Sequence, residues 1–189
     1  MAIETSDGTV SEDGCIRPGT NSEALSTLRP AFDSNGTGTA GTSSPLTDGA
    51  AFVFVCSEEF AAELGLDPMA RIKSSGVAWC APEIMGIGPV SASQKALERA
   101  DLSRNDIDLI ELNEAFAAQS LAVIGELGRD TDKVNIEGGA IALGHPLGAS
   151  GARITGKAAQ LMQKIGAENS LATLCVGGGM GMATVLESV

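Results

Sequence analysis

The chain has 189 residues, of which 43% are hydrophobic, and its formal net charge is −12 at pH 7. This length fits one domain with an appendage, and no apolar run reaches the ~20 residues that a membrane helix needs. The acidic excess argues against nucleic acid or an anionic membrane as a partner. The sequence shows no signal segment at its start and no targeting motif at its end, so we expect a cytoplasmic protein.

The first 48 residues are rich in Ser, Thr, Gly, Asp and Pro. Residues 22–28 are amphipathic enough for a short helix, and residues 35–38, Asn-Gly-Thr-Gly, predict a turn. We expect this part to be irregular and to pack as an excursion on a larger body.

From residue 51 onwards, short apolar runs alternate with amphipathic stretches, which indicates a layered α/β fold. Strands are predicted at residues 52–55, 71–77, 107–112, 171–176 and 182–186. Helices are predicted at residues 57–64, 91–100, 114–127 and 153–165, and the one at 114–127 is apolar enough to be buried. The last two strands are joined by too few residues for a crossover, so they should form an antiparallel hairpin.

Four cysteines and one histidine are the groups best suited to chemistry. The cysteines, Cys15, Cys56, Cys80 and Cys175, form no Cys-x-x-Cys pair, and with His145 alone they make no zinc pattern. We therefore expect reduced thiols and no bound metal.

Three segments combine such groups with constrained backbone. Asn113 lies where a strand should meet a helix, so it either caps the helix or directs its amide at a ligand. Gly144-His145-Pro146 restricts the backbone around the imidazole, which is either directed at a ligand or held in a packed turn. Cys175 ends a strand before glycines whose amides suit an anion, although a buried thiol is also often a simple apolar residue. The segment around His145 fits neither a P-loop nor a dinucleotide-binding motif.

Five blocks, taken together, resemble the signature blocks of the thiolase family in order and spacing. They are TAGTSSPLTDG at 39–49, MGIGPVSAS at 85–93, NEAF at 113–116, GGAIALGHPLGASGAR at 138–153 and CVGGGMG at 175–181. The resemblance extends over essentially the whole chain. It implies the thiolase fold, which is layered α/β/α/β/α with a mixed sheet, and makes this chain its C-terminal half plus part of its loop domain.

The resemblance also divides the chain into domains. It implies that residues 1–48 are the remainder of the loop domain that binds CoA, and that residues 49–78 are the last strands and helix of the N-terminal-type domain. It implies that residues 79–189 are the C-terminal thiolase domain.

Thiolases make or break the carbon–carbon bond of a 3-oxoacyl-CoA with one cysteine that is acylated and another that acts as acid and base. The resemblance implies that Cys175 is the acid–base cysteine, and a thiol titrates near enough to neutrality for that role. It implies that His145, together with a water held by Asn113, stabilises the enolate oxygen. The Gly177 N–H would contribute to a second oxyanion hole, and His145 would also polarise the acylated cysteine.

Coenzyme A is implied as a substrate, and no resident cofactor is expected. The resemblance places Arg17 near the nucleotide end of CoA, where a guanidinium suits adenine stacking and phosphate pairing. It places Ser44 against the pantetheine chain, and Met85 and Phe116 along the acyl and pantetheine channel. Pro45 departs from the small residue usual after that serine and should shift the pantetheine contacts slightly.

None of Cys15, Cys56 and Cys80 lies in a block suited to the acylated nucleophile. The leading hypothesis is therefore one subunit of a split thiolase, completed by a separate N-terminal-half chain in a hetero-oligomer such as α2β2. Degradative cleavage of 3-oxoacyl-CoA is preferred to synthesis. The alternatives are a non-catalytic subunit that binds CoA or acts as a scaffold, and a truncated fragment. The joint presence of Asn113 and His145 with Cys175 favours the enzyme over the scaffold.

Overall fold

The secondary structure alternates between strands and helices over residues 2–189, the part of the chain that the computed structural model describes. The strands are β1 (Ile3–Thr5), β2 (Gly8–Val10), β3 (Arg71–Trp79), β4 (Leu109–Leu112), β5 (Asn169–Val176) and β6 (Met180–Glu187). The helices are α1 (Ser22–Ser26), α2 (Glu58–Glu63), α3 (Gly88–Ala100), α4 (Ala117–Leu127), α5 (Ala140–Leu143) and α6 (Ser150–Ile165). All strands and helices predicted beyond residue 56 are formed, with ends that differ by a few residues. Within residues 2–189, no helix is both long and apolar enough to cross a membrane.

A mixed sheet with the strand order β3-β6-β5-β4 forms the centre of the fold. β4 and β5 are parallel, whereas β6 runs antiparallel to both β5 and β3. The antiparallel hairpin predicted for the last two strands is therefore confirmed, and so is the α/β class with a mixed sheet.

Helices cover both faces of this sheet and form two apolar clusters. On one face, α3 and α4 pack their buried side chains against Leu112, Leu171 and Val185. On the other face, α6 buries Ile154 and Leu161. α4 is buried on one side only, at Ser120, Val123 and Leu127, so the prediction that the helix at 114–127 is buried is wrong for its other side, where Leu121 is exposed.

Residues 2–50 have little regular structure, as predicted, apart from the short β1–β2 hairpin, which the sequence did not indicate. α1 is capped by Asn21, whose side chain accepts a hydrogen bond from the Ala24 N–H at 2.9 Å. The predicted turn forms two residues earlier, where the Gly36 N–H donates to the Asp33 carbonyl at 2.8 Å.

The strand predicted at residues 52–55 is not formed, so this prediction is wrong. Residues 51–56 are exposed, with 88% of Phe52 accessible, and in the described chain no strand pairs with them. A strand is stable only when its backbone N–H and carbonyl groups have a neighbouring strand to bond. The segment has the apolar side chains of a buried strand and lacks its partner.

One part of the central sheet is also uncovered. α6 reaches across β4 and β5 but leaves the same face of β3 open. Val77 pairs with Met182 on this face, and each is 43% exposed, while Trp79 is 73% exposed. Ile72, which pairs with the buried Leu186, continues the open face. An apolar face of this size is typical of a surface that another protein covers.

The sheet buries one acidic side chain, Glu111 on β4, which is only 1% exposed. Its Oε1 has no hydrogen-bond partner, and neither does the Nε of the neighbouring Arg153. Burial raises the pKa of Glu111 to about 7, against the opposing charges of Arg153 and Lys157. Glu114 and Glu137 raise it further. The protein therefore carries a carboxyl group that is half protonated near neutral pH.

We predict that replacing Gly181 with alanine destabilises the fold by about 1–3 kcal/mol. The new Cβ would overlap the backbone carbonyl of Gly88, where the first turn of α3 lies against β6. Gly125→Ala is the matched control, because a Cβ there meets no atom within 4 Å and alanine favours the middle of α4. Urea unfolding midpoints should fall for the first variant and rise for the second. Equal midpoints would contradict the close backbone contact.

We predict that Glu111 makes the protein less stable as pH rises from about 4 to 7. The folded state binds this proton more tightly than the unfolded chain does, so stability is lost across that window, by roughly 3 kcal/mol in total. Glu111→Gln removes this titrating group. The stability of the variant relative to wild type should therefore increase by roughly 3 kcal/mol as pH rises from about 4 to 7. Glu126→Gln, the same exchange at an exposed position of α4, is the matched control. Parallel stability curves for wild type and Glu111→Gln would refute the assignment.

Candidate active site

Asn113 directly follows β4 at the carboxyl edge of the sheet. Its N–H donates to the Thr173 carbonyl on β5 at 3.0 Å, so the pairing continues one residue beyond β4. The side chain is fully buried at 0% exposure, yet neither its nitrogen nor its oxygen has a hydrogen-bond partner. The N-cap position of α4 belongs to Phe116, so Asn113 does not cap this helix. A buried, unpartnered amide is costly, which favours a site that accepts a water or a ligand.

Glu114, the next residue, connects the end of this strand to the loop that carries the histidine. Its Oε1 accepts a hydrogen bond from the Asn135 side chain at 2.8 Å, and its Oε2 accepts one from the Ile141 N–H at 3.1 Å. Asn135 in turn bonds the backbone N–H and carbonyl of Leu112 on β4. Gly139 packs directly on the Glu114 carboxyl, with no room for a Cβ. Glu114 therefore fixes the segment that leads to His145.

His145 is half-buried and is held from two sides. Its backbone N–H donates to the Thr47 hydroxyl at 3.3 Å, and its ring Nδ1 lies 2.6 Å from the Ser150 hydroxyl at the start of α6. Gly144, with φ of 94°, packs against the Thr47 side chain. Burial lowers the pKa of His145, and the positive charge of Arg153 lowers it further. The ring is therefore neutral at neutral pH.

Cys175 lies near the end of β5, opposite Gly181 of β6, and is buried. Burial raises the pKa of its thiol, a backbone hydrogen bond partly offsets that effect, and Cys80 raises it again. The thiol is thus protonated in this chain at neutral pH. The exposed Gly177 and Gly178 follow in the turn to β6.

The fold brings these groups to one edge of the sheet. Asn113 bonds Thr173, two residues before Cys175, because β4 and β5 are parallel and pair up to the end of β4. His145 reaches the same edge through the contact between Glu114 and Ile141. Three sequence blocks that are far apart in the chain therefore converge, which is the arrangement that an acid–base site requires.

Two of the residues expected to bind CoA lie beside this edge. The N–H and hydroxyl of Ser44 both donate to the Ala115 carbonyl, at 3.0 and 3.3 Å. Ser43 forms a backbone bridge with Phe116, whose ring packs edge-on against Phe32 at 5.6 Å between centroids. The TAGTSS block therefore docks on the NEAF block, as a shared binding surface would require.

Met85 and Arg17 occupy different surroundings. Met85 is partly buried in the 3₁₀ helix Pro82–Ile87, and its neighbour Gly86 accepts a hydrogen bond from Gln119 of α4 at 2.9 Å. Arg17 is exposed. In the described chain its carbonyl accepts hydrogen bonds from the N–H and the hydroxyl of Thr20. The structure thus brings the segment of Met85 next to α4, whereas the described chain shows no hydrogen bond between Arg17 and the other predicted site residues.

Sequence reasoning missed three residues of this region. Glu114 and Ser150 make the contacts that position His145, and Glu111 is buried beneath the site beside Arg153. A single acid within the apolar run of β4 was a usable signal for Glu111. Nothing local marked Ser150, because its partner becomes visible only when the Pro146 turn is folded.

Comparisons with known proteins agree with this geometry. Residues 66–188 match the family model described as the thiolase C-terminal domain, and residues 1–59 match that of the thiolase N-terminal domain. A 3-ketoacyl-CoA thiolase of Idiomarina loihiensis is 58% identical over 184 residues, and one of Salmonella typhimurium is 59% identical over 181 residues. These alignments cover 95% and 94% of this chain but 48% and 47% of the relatives. The chain therefore spans about half the length of the curated relatives it matches.

Solved structures give the same result. The chain superposes over its full length on human mitochondrial 3-ketoacyl-CoA thiolase in complex with CoA, with a TM-score of 0.91 and 42% identity, and covers 48% of that chain. The Bacillus anthracis acetyl-CoA acetyltransferase gives a TM-score of 0.95 and 47% identity, again with 48% of its chain covered. The implied thiolase fold is confirmed, and the chain belongs to the thiolase family.

Proposed function

We propose that this chain is the acid–base half of a thiolase that makes or cleaves 3-oxoacyl-CoA, with degradative cleavage preferred. The observation that carries the proposal is that hydrogen bonds join the segments carrying Asn113, His145 and Cys175 at the end of β4, with the Asn113 amide buried and unpartnered. A scaffold that only binds CoA has no need for a buried amide that lacks partners. The names of the 3-ketoacyl-CoA thiolase relatives support the preferred direction.

In the proposed cleavage, a cysteine on the completing half attacks the C3 carbonyl of a 3-oxoacyl-CoA and the C2–C3 bond breaks. The electron pair of that bond leaves on the acetyl-CoA fragment as an enolate, which takes its proton from Cys175. His145 and a water on Asn113 stabilise the enolate oxygen, while the Gly177 N–H stabilises the oxyanion at the acylated cysteine. The Cys175 thiolate then takes the thiol proton of CoA, and the CoA sulfur attacks the acylated cysteine, which releases the shortened acyl-CoA and regenerates the partner's cysteine as the thiolate with which it attacked. In synthesis the steps run in reverse, and Cys175 takes a proton from the methyl group of acetyl-CoA. A thiol that is protonated in the resting chain suits the donor role.

CoA would lie along the surface where the TAGTSS and NEAF blocks meet. Ser44 bonds Ala115, and the adjacent Ser43 forms a backbone bridge with Phe116. These contacts support a shared pantetheine channel that includes Met85. Arg17 is proposed for the nucleotide end, where an exposed guanidinium can pair with phosphate in this otherwise acidic protein. The human structural neighbour that contains CoA supports CoA as the ligand class.

A separate N-terminal-half chain is proposed to supply the acylated cysteine. Two features of the surface support it: the unpaired apolar segment 51–56, and the open face of β3 with Val77 and Trp79. At about 25 cal/mol per Å² of apolar area, covering both would contribute free energy comparable to the stability of a domain. Segment 51–56 would then add as a strand to a sheet of the partner, in a hetero-oligomer such as α2β2.

We predict that the purified chain alone cleaves no acetoacetyl-CoA, because the covalent step has no nucleophile. Mixing it with the unmatched N-terminal portion of the Idiomarina loihiensis relative should give thiolysis and a larger sedimenting particle. A version of that portion with its reactive cysteine replaced by alanine should restore the particle but not the activity. Turnover by the chain alone, or a monodisperse monomer that ignores the added half, would overturn the split arrangement.

We predict that Cys175→Ala lowers thiolysis by the completed enzyme by about 10²–10⁴-fold, the usual contribution of a general acid or base. The partner's cysteine should still be acylated, because Cys175 is proposed to move protons and not acyl groups. Ser170→Ala, which removes a buried hydroxyl that bonds Met162 and lies five residues before Cys175 on the same strand, is the matched control and should retain activity. Trapping of labelled acetyl on Cys175, and not on the partner, would reverse the two roles.

A further inference from the structure

The Ser150 hydroxyl lies between two groups that can accept its single proton. It is 2.6 Å from Nδ1 of His145 and 3.0 Å from the carbonyl oxygen of Pro146. Ser150 is fully buried, at 0% exposure, as the first residue of α6. Its hydroxyl therefore cannot exchange partners with solvent, and its choice of acceptor decides which ring nitrogen of His145 carries a proton.

Two observations indicate that the proton goes to the imidazole. The Pro146 carbonyl already accepts the N–H groups of Ala149 and Ser150, each at 2.9 Å, so both of its lone pairs are used. The contact with Nδ1 is also short. A separation of 2.6 Å is below the usual ~2.7–3.2 Å of an N–H donor, but lies within the usual range of an O–H donor.

We infer that Ser150 donates to Nδ1 of His145 and thereby holds the ring as the tautomer with its proton on Nε2. Ser150 is a positioning residue in this arrangement, because it acts only through the imidazole. The backbone N–H of His145 on Thr47 fixes the other end of the residue, so the ring has a set orientation as well as a set tautomer.

The consequence for chemistry rests on the proposed function. Burial and the charge of Arg153 lower the pKa of His145, so the ring that Ser150 orients is neutral. A neutral ring with an Nε2–H is a hydrogen-bond donor without a positive charge. Such a donor stabilises an enolate oxygen as it develops charge and does not bind an anion strongly beforehand, which is what selective stabilisation of a transition state needs.

The test uses the fact that His145 is the only histidine of the chain. The chain is labelled with ¹⁵N-histidine, so that its imidazole gives the only labelled ring signals even when it is assembled with an unlabelled N-terminal half. Two-bond ¹H–¹⁵N correlation spectra at neutral pH then report which nitrogen is protonated. We expect the proton on Nε2, with the Nδ1 signal displaced towards its protonated position by the hydrogen bond from the hydroxyl.

Ser150→Ala should abolish that displacement, and Ser150→Thr, which keeps a hydroxyl, should preserve it. Ser170→Ala is the matched control, because it removes another fully buried hydroxyl, one that bonds Met162 at 2.9 Å, about three turns along α6 from Ser150. A wild-type spectrum with the proton on Nδ1 would overturn the inference, and this result does not depend on any variant folding. An Nδ1 signal that is unchanged in folded Ser150→Ala would also overturn it.

Kinetics of the completed enzyme separate this inference from the proposed function. Ser150→Ala should lower kcat by roughly 10- to 100-fold, with a smaller change in KM, because it misdirects a group that acts on the enolate. Ser150→Thr should recover most of the loss, and Ser170→Ala should be unaffected. If the spectra show the expected tautomer but the wild-type assembly is inactive, the proposed function fails and the hydrogen-bond assignment stands. Full activity of Ser150→Ala would overturn the positioning role.

Discussion

The Glu114 carboxylate is the interaction on which the candidate site depends. It joins the end of β4 to Asn135 and to the Ile141 N–H, and Asn135 returns to the backbone of Leu112. This connection joins the segment that leads to His145 to the sheet edge where Asn113 and Cys175 lie, while Thr47 and Ser150 hold His145 itself. A carboxylate that accepts two charge-assisted hydrogen bonds is well suited to this task, because such bonds are short and directional.

Burial acts on the two titratable groups of the site in a consistent way. It raises the pKa of the Cys175 thiol and lowers the pKa of His145, so both are neutral in this chain. The nearby Glu111 is likewise pushed towards its protonated form, in spite of Arg153. A low-dielectric surrounding favours neutral forms and strengthens every hydrogen bond that the site makes, and both effects suit proton transfer to an enolate.

The chain also exposes apolar surface that the described residues leave uncovered. Residues 51–56 have the side chains of a buried strand, and β3 leaves Val77 and Trp79 uncovered. Both features expose apolar side chains to water, and only contact with another surface would bury them and gain the corresponding free energy. Assembly and site completion are therefore proposed to be one event, since the covering half would also bring the acylated cysteine.

The sequence by itself determined the helices and strands beyond residue 56, the closing hairpin and the blocks that mark the thiolase family. These features depend on local periodicity, on glycine at helix ends and on short connections, which are all readable within a few residues. It also pointed to Asn113, His145 and Cys175, although it left open whether each was a structural or a chemical residue. The spacing of the blocks was sufficient to name the family but not to show how they meet.

Only the tertiary structure decided the remaining questions. Asn113 does not cap α4, because the helix begins at Ala117 and the amide is left buried without partners. The apolar run at 52–55 stays unpaired, because a strand needs hydrogen bonds from a distant segment that the described chain does not supply. Glu114 bonds Asn135 and Ile141, which lie 21 and 27 positions further along the sequence. Such contacts, like the burial that shifts a pKa, depend on where separate segments lie in space, and no local pattern in the chain encodes that.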